Sequence, residues 1–429
     1  MAHVADRGSS EAEGSGLFVG SGSAAQIVRE LRAGTLSAKA LWVGALILGL
    51  IDALQWHKGG GFAYDLQPYW QATHAVLHGT SDWARFVYLP GCLLFAIPLA
   101  ILPFHVAKLL IYALQFVAIA YVFWAMTRML KLSLGSTRIA WAAVVVAVSG
   151  QLGIAAHYEN LTLLLIPFVA AFFLAITRDR PMAAAVVLGI SLTIKPLAVP
   201  LFLVLLLSRR FRETVVAVLI PVVLSAVSLL LVVVVNANPS GFVREVRDTF
   251  SADNGRPWNI SLSAMASYLH ASSAVGDLAR VLVVVAALVI TWKIWSRPQS
   301  EPGTHAIWLT APLFVILILC FSFAWGYYTL LLLPLGFAAL TDDRLSSWVT
   351  RIGVVLAIIP PILVYTVPGY PERYYNETID TIFHLGIVLN GASVVGVLLA
   401  LAGTALYAWQ DAPTLTARSG LAARATAAS

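Results

Sequence analysis

Long apolar runs recur along nearly the whole chain, and they restrict the fold more than any single motif does. Leu41–Gln55, Leu161–Ile176, Val215–Val235, Val281–Ile294 and Val394–Tyr407 approach or reach the roughly 20 residues needed to cross a hydrocarbon core about 30 Å thick. In lipid every backbone amide must be paired within the protein, which leaves helices as the consistent solution for runs of this kind. The composition agrees: 59% of the residues are hydrophobic and 11% are charged, against about 25% charged in a soluble domain. The expected fold class is therefore all-α, a polytopic transmembrane helical bundle of about twelve spans, with no strands.

The net charge of +6 sits mostly in short loops, so it carries topology information and no nucleic-acid partner is expected. Arg29, Arg32 and Lys39 place the start of the first span inside, and the loop from His57 to about Tyr88 follows on the outer side. Arg209-Arg210-Phe211-Arg212, Arg297 and Arg344/Arg351 also read as cytoplasmic, whereas Asn236–Asp277 and Pro368–Leu385 mix acids with Arg and read as external. Arg128/Lys131/Arg138 and Arg178/Arg180 conflict with strict alternation. Either those loops violate the charge rule, or Pro90–Pro103 is a short re-entrant segment and Ala183–Leu207 is a hairpin of two half-helices broken at Pro196. Residues 1–35 read as a disordered cytoplasmic tail, with an amphipathic turn at Gln26–Ala33 near anionic lipid. Residues 36–409 form the membrane domain, and 410–429 form a second cytoplasmic tail. Cys92 and Cys320 lie in apolar segments without metal-ligand spacing and read as small buried residues.

Few residues are placed to carry chemistry. Asp65 follows the first span in Tyr64-Asp65-Leu66-Gln67-Pro68-Tyr69, and two roles are open to it: an N-cap of a short surface helix starting near Pro68, or a general base at the membrane surface. Tyr69, close beside it, is a candidate acceptor contact. Lys195 in Thr193-Ile194-Lys195-Pro196 is the most deeply placed charge. An ammonium there costs roughly 2.5–3.5 kcal/mol even on the lenient insertion scale, so it should face a polar cavity or an anion, with snorkelling the plain alternative. A phosphate fits it, and the break at Pro196 supplies unpaired amides. Arg244, Arg247 and Arg256 lie in the large loop after Val235; they are either a solvated run or guanidinium forks for a phosphate. His157, Tyr158, Glu159 and Asn160 interrupt two apolar segments, as a plain loop or as partners of Asp65. Trp325-Gly326-Tyr327-Tyr328 offers Tyr327 and Tyr328 as sugar platforms or as an interface belt. Asn160-Leu161-Thr162 and Asn259-Ile260-Ser261 match the glycosylation acceptor pattern, which is a weak three-residue signal. There is no GxGxxG, Walker loop or HExxH, so no metal or cofactor is expected.

Asp65-Leu66-Gln67-Pro68-Tyr69-Trp70-Gln71-Ala72, Tyr88-Leu89-Pro90 followed by Pro98 and Leu102-Pro103, and Lys195-Pro196 with Arg209-Arg210 after it resemble the actinobacterial GT-C glycosyltransferases. Those are multi-span enzymes that take sugars from polyprenyl phosphates to build the cell envelope. Tyr88-Leu89-Pro90 and Gly326-Tyr327-Tyr328 depart from the Tyr-Pro-Pro and late His pair of the mannosyltransferase branch, which makes phosphatidylinositol mannosides and lipomannan. The stretch after Asp65, the Lys195-Pro196 step and Gly326-Tyr327-Tyr328 look more like the branching arabinofuranosyltransferases of arabinan synthesis. The resemblance implies decaprenylphosphoryl-arabinofuranose as donor, a cell-wall glycan or glycolipid acceptor (arabinogalactan or lipoarabinomannan), and a multi-pass plasma-membrane enzyme acting on the periplasmic side. Asp65 would be its base, and Lys195 with Arg244, Arg247 and Arg256 would hold the phosphate. Tyr69, His157, Glu159, Asn160, Tyr327 and Tyr328 would face the acceptor sugar. A transporter or flippase for lipid-linked sugars is the rival of another class; it would use the Pro-broken helices as its path, but no internal repeat supports it.

Overall fold

Helices account for the architecture of the described residues. A computed structural model describes residues 22–58, 63, 65–83, 86, 88–235, 237, 241–242, 244–245, 259–298, 301–321, 324–360 and 380–410. Among them no strand forms beyond the isolated bridge pair of Asn259 and Trp325. Among the described residues six helices are long and apolar enough to cross a membrane: Leu36–Leu54, Phe104–Met129, Phe211–Val234, Ser273–Trp295, Pro302–Leu319 and Asn390–Trp409. A seventh arises if Thr137–Ala147 and Gly150–His157, bent by 52° at their junction, count as one. The bend is built by Ser149, whose hydroxyl leaves the first helix to cap the second by accepting from Leu152 N at 3.1 Å.

The expected dozen full spans is not what the described residues contain. Thr162–Thr177, Pro181–Ile194, Pro196–Leu207, Gly326–Ala339 and Leu345–Ile358 are shorter apolar helices. At about 1.5 Å per residue such pieces fall well short of 30 Å. An apolar run in a sequence does not distinguish a crossing from a half-helix that turns back inside the protein.

Ion pairs gather the basic loops at one end of the bundle. Arg128 pairs with Glu30 at 2.7 Å, Lys131 with Glu301 at 3.3 Å, Arg138 with Asp343 at 2.6 Å, and Arg210 with Asp179 at 3.2 Å. The last pair decides the topology that charge alone left open. Asp179 and Arg210 flank the segment from Pro181 to Leu207, so that segment starts and ends at the same rim. It is the hairpin of two half-helices, with Lys195 at its tip. The residue before a proline is pushed out of the helical region, and Lys195 is extended (φ −158°, ψ 127°) between the Pro181–Ile194 helix and a 3-10 turn, Pro196–Leu201.

The stretch from Tyr88 to Pro103 dips and returns. Gly91 N donates to Ser225 Oγ at 3.2 Å, partway along the Phe211–Val234 helix, whereas the carbonyl of Leu102 accepts from Trp70 Nε1 at 3.1 Å beside the Leu66–Leu77 helix. The amphipathic turn expected at Gln26–Ala33 lies within a helix, Gly22–Ala33, whose Glu30 also accepts from Leu134 N. Residues 1–21 and 411–429 lie outside the described residues.

Candidate active site

At the end opposite the basic rim, four separate segments converge. The backbone brings them together first: Ala63 N donates to the carbonyl of His157 at 3.2 Å, Asp65 N to that of Tyr158 at 3.1 Å, and Ile260 N to that of Ala324 at 2.9 Å. Asp65 is buried, and although it sits at the start of the Leu66–Leu77 helix its side chain makes no capping bond there. Its Oδ2 instead accepts from Asn160 Nδ2 at 2.6 Å and from the Tyr327 hydroxyl at 3.1 Å. Asn160 Nδ2 also donates to that hydroxyl at 2.7 Å, closing a triangle.

Asn160 is the hinge of the arrangement. Its Oδ1 accepts from Thr162 N at 2.7 Å, an Asx turn that starts the Thr162–Thr177 helix, and from Lys195 Nζ at 3.4 Å. Lys195 Nζ donates to Thr162 Oγ1 as well, at 3.1 Å. Lys195 is 5% exposed, and its ammonium faces three rings, with centroids 4.8 Å away for Tyr328 and 5.7 Å for both Tyr88 and Tyr327. Aromatic faces attract a desolvated cation by about 2 kcal/mol or more, which offsets part of the burial cost. Snorkelling is thus not how this lysine is accommodated.

Burial raises the phenol of Tyr69 well above its usual range, so it remains neutral. Its ring stacks on Tyr88 at 4.0 Å, and this pair walls one side of the lysine. Tyr327 is positioned by Gly326, where a Cβ would lie 2.6 Å from Gln151 Oε1. Trp325 stacks on Tyr327 at 5.4 Å. Glu159 is fully buried and takes the left-handed conformation (φ +53°) that closes the Gly150–His157 helix, with Asn160 N donating to the carbonyl of Ala155 at 2.9 Å.

Not every candidate joins this cluster. The His157 side chain turns to Asp52, with Nε2 3.3 Å from Oδ1, and Tyr112 donates to the other oxygen of Asp52 at 3.1 Å. Arg244 is exposed, unlike the buried Asp65, Asn160 and Lys195. Arg247 and Arg256 lie outside the described residues. Asp52 and Thr162 were not picked out from sequence. A lone acid within the first apolar run was a usable signal for Asp52. Thr162 was hidden in its glycosylation-like triplet. Both Asn160 and Asn259 prove to be buried Asx-turn residues, Asn259 Oδ1 accepting from Ser261 N and Ala324 N at 3.0 Å each. No group of three potential metal ligands occurs among the described residues.

The profile of glycosyltransferase family 87 matches residues 86–322, more than half of the chain. The chain belongs to glycosyltransferase family 87. It is 25% identical over 347 residues to an alpha-(1->3)-arabinofuranosyltransferase of Mycobacterium tuberculosis, strain H37Rv, covering 75% of this chain and 76% of the relative. It is 24% identical over 287 residues to the enzyme of the same name from Corynebacterium glutamicum, covering 64% and 65%. The matched segment includes Tyr88, Asn160, Thr162 and Lys195, while Asp65 and Tyr327 fall just outside it. As a family 87 member the chain is a membrane glycosyltransferase, and a transporter is no longer the competing reading.

Proposed function

We propose that this enzyme transfers arabinofuranose from decaprenylphosphoryl-arabinose to an arabinan acceptor, with Asp65 as general base and Lys195 as the cation facing the leaving phosphate. The observation that carries this reading is the Asn160 carboxamide, which binds the carboxylate through its nitrogen and the ammonium through its oxygen. Asp65 removes the proton of the attacking hydroxyl as the new C–O bond forms at the anomeric carbon. The bond to the phosphate oxygen breaks on the opposite face, giving inversion. The charge released on the polyprenyl phosphate develops next to Lys195, where a preorganised cation in a dry site lowers the barrier most directly. Asn160 and Tyr327 orient the carboxylate through their hydrogen bonds to Oδ2. The sugar arrives already activated on lipid, so the reaction needs no nucleotide site.

That the two relatives are arabinofuranosyltransferases supports arabinose over mannose. A GT-C type bundle in the plasma membrane, with its site on the periplasmic face, agrees with a basic rim gathered at the end away from Asp65. The decisive experiment incubates the purified protein with polyprenyl-phosphate arabinose or mannose and an oligosaccharide acceptor. Transfer of arabinose alone is expected; transfer of mannose alone, or of neither sugar, rejects the assignment.

A further inference from the structure

His157 grips the chain on both sides of its exit from the first span. At the end of the Gly150–His157 helix its ring lies with Nε2 3.3 Å from Oδ1 of Asp52, which belongs to the Leu36–Lys58 helix. Its backbone carbonyl accepts from Ala63 N at 3.2 Å, beyond the end of that same helix. Tyr112, on the Phe104–Met129 helix, donates to the other oxygen of Asp52 at 3.1 Å, so three helices meet on one carboxylate. An acid inside an apolar span carries a desolvation cost, and helices in a membrane pack without it. The cost points to a task other than joining helices.

The backbone near the base shows what that task is. Ala63 is fully buried and left-handed (φ +45°) although it carries a Cβ. Such a conformation persists only where its surroundings over-determine it. Here Ala63 N is held by the carbonyl of His157, and the carbonyl of Ala63 accepts from Gln67 N at 3.0 Å. Two residues on, Asp65 N is held by the carbonyl of Tyr158 at 3.1 Å and the Asp65 carboxylate by Asn160 Nδ2 at 2.6 Å. The turn of His157, Tyr158 and Asn160 therefore fixes both the backbone and the carboxylate of Asp65, and Asp52 ties that turn to the Leu36–Lys58 and Phe104–Met129 helices.

We infer that Asp52 is a positioning residue for the transfer: through His157 it holds Ala63 in its left-handed turn and so sets where the Asp65 carboxylate points, without itself touching a substrate. This rests on Asp65 being the base. Without the Asp52 contact the His157 end of the turn loosens, Ala63 relaxes, and the carboxylate shifts on Asn160. A misplacement of about 1 Å at a reacting group can lower a rate about 10²-fold.

The test measures transfer from polyprenyl-phosphate arabinose to an oligosaccharide acceptor, with each variant's intact sites counted by equilibrium binding of polyprenyl phosphate. Asp52→Leu and His157→Leu should lower kcat by about tenfold or more, while the count of binding sites and the KM for both substrates stay within about twofold of wild type. Asp52→Asn can still bond both neighbours, and the amide nitrogen of His157→Gln reaches the place of Nε2, so these two should keep kcat within about threefold of wild type. In an Asp65→Asn background Asp52→Leu should change the residual rate by less than about twofold, because an absent base cannot be misplaced. The inference is overturned by full turnover in Asp52→Leu, by equal losses with and without the Asp65 carboxylate, or by loss of polyprenyl-phosphate binding together with turnover, which would make Asp52 a general support of the fold. Turnover of Asp65→Asn alone above about one-tenth of wild type is a separate result: it rejects the base itself, and the inference with it.

Discussion

Asp65 and Lys195 make opposite demands on the protein, and substitution separates them. Asp65→Asn keeps the shape and one hydrogen-bond acceptor, but it removes the proton acceptor. Turnover is expected to fall by about 10²–10⁴, with donor KM and melting temperature nearly unchanged; an activity above one-tenth of wild type removes Asp65 as the base. Lys195→Met keeps the volume but leaves the buried Asp65 carboxylate without its neighbouring cation, so the melting temperature should fall, while turnover drops by about 10²–10³, the usual loss for one donor to a developing charge. A melting scan beside the rate assay reads both. These two residues were visible in the sequence because a charge in an apolar setting stands out. Their connector was harder to see. Asn160 is neutral and common in loops, and its triplet with Thr162 imitates an unrelated surface signal although both residues are buried. Sequence spacing also could not show that the His157 ring turns away to Asp52 while its carbonyl supports the chain next to Asp65.

At the scale of elements, the site depends on where helices are broken. Proline at 196 stops the Pro181–Ile194 helix and holds Lys195 extended, which aims its side chain at Thr162. Pro196→Ala permits another helical residue and turns the lysine by about 100° around the axis. Turnover should fall tenfold or more while the melting temperature shifts by only a few degrees, and unaltered turnover would show that the break does not position the charge. The pairing of Leu345–Ile358 with Asp380–Trp409 is of another kind. Gly353, Gly396 and Gly403 let the two backbones touch, and a side chain at any of them meets the facing helix. Gly396→Leu should therefore cost roughly 1–3 kcal/mol or more in a detergent melt, as overpacking does. The sequence marked the breaks through its prolines. It did not show the direction of the chain after each break, because a run of apolar residues has the same composition whether it crosses or returns. Only the contact of Asp179 with Arg210 settles that point.

For the whole molecule, one orientation in the membrane has to satisfy every basic loop and the candidate site together. The rim is tied across the sequence by Arg138 and Arg351, which both bond to Asp343 and hold its carboxyl below the usual carboxylate range. A carboxylate depressed in this way supports the fold above its ordinary value near 3.8 and loses that support as pH falls through the lower, paired value. Because Asp343 is exposed, salt should weaken the effect. The same rim predicts the sidedness of labelling. Lys131 and Asp179 have side chains 81% and 89% exposed there, while Thr80 is exposed near the end of the Leu66–Leu77 helix beside the candidate site. In a Cys92→Ala, Cys320→Ala background, an impermeant maleimide added to intact cells should react with Thr80→Cys and spare Lys131→Cys and Asp179→Cys until the membrane is opened. Asp179→Cys is the critical position, since strict alternation of spans and the hairpin ending at Arg210 place it on opposite sides. Labelling of Asp179→Cys in intact cells would require Pro181–Leu207 to begin outside, move Lys195 away from the depth of Asp65, and separate the two charges on which the proposed transfer depends.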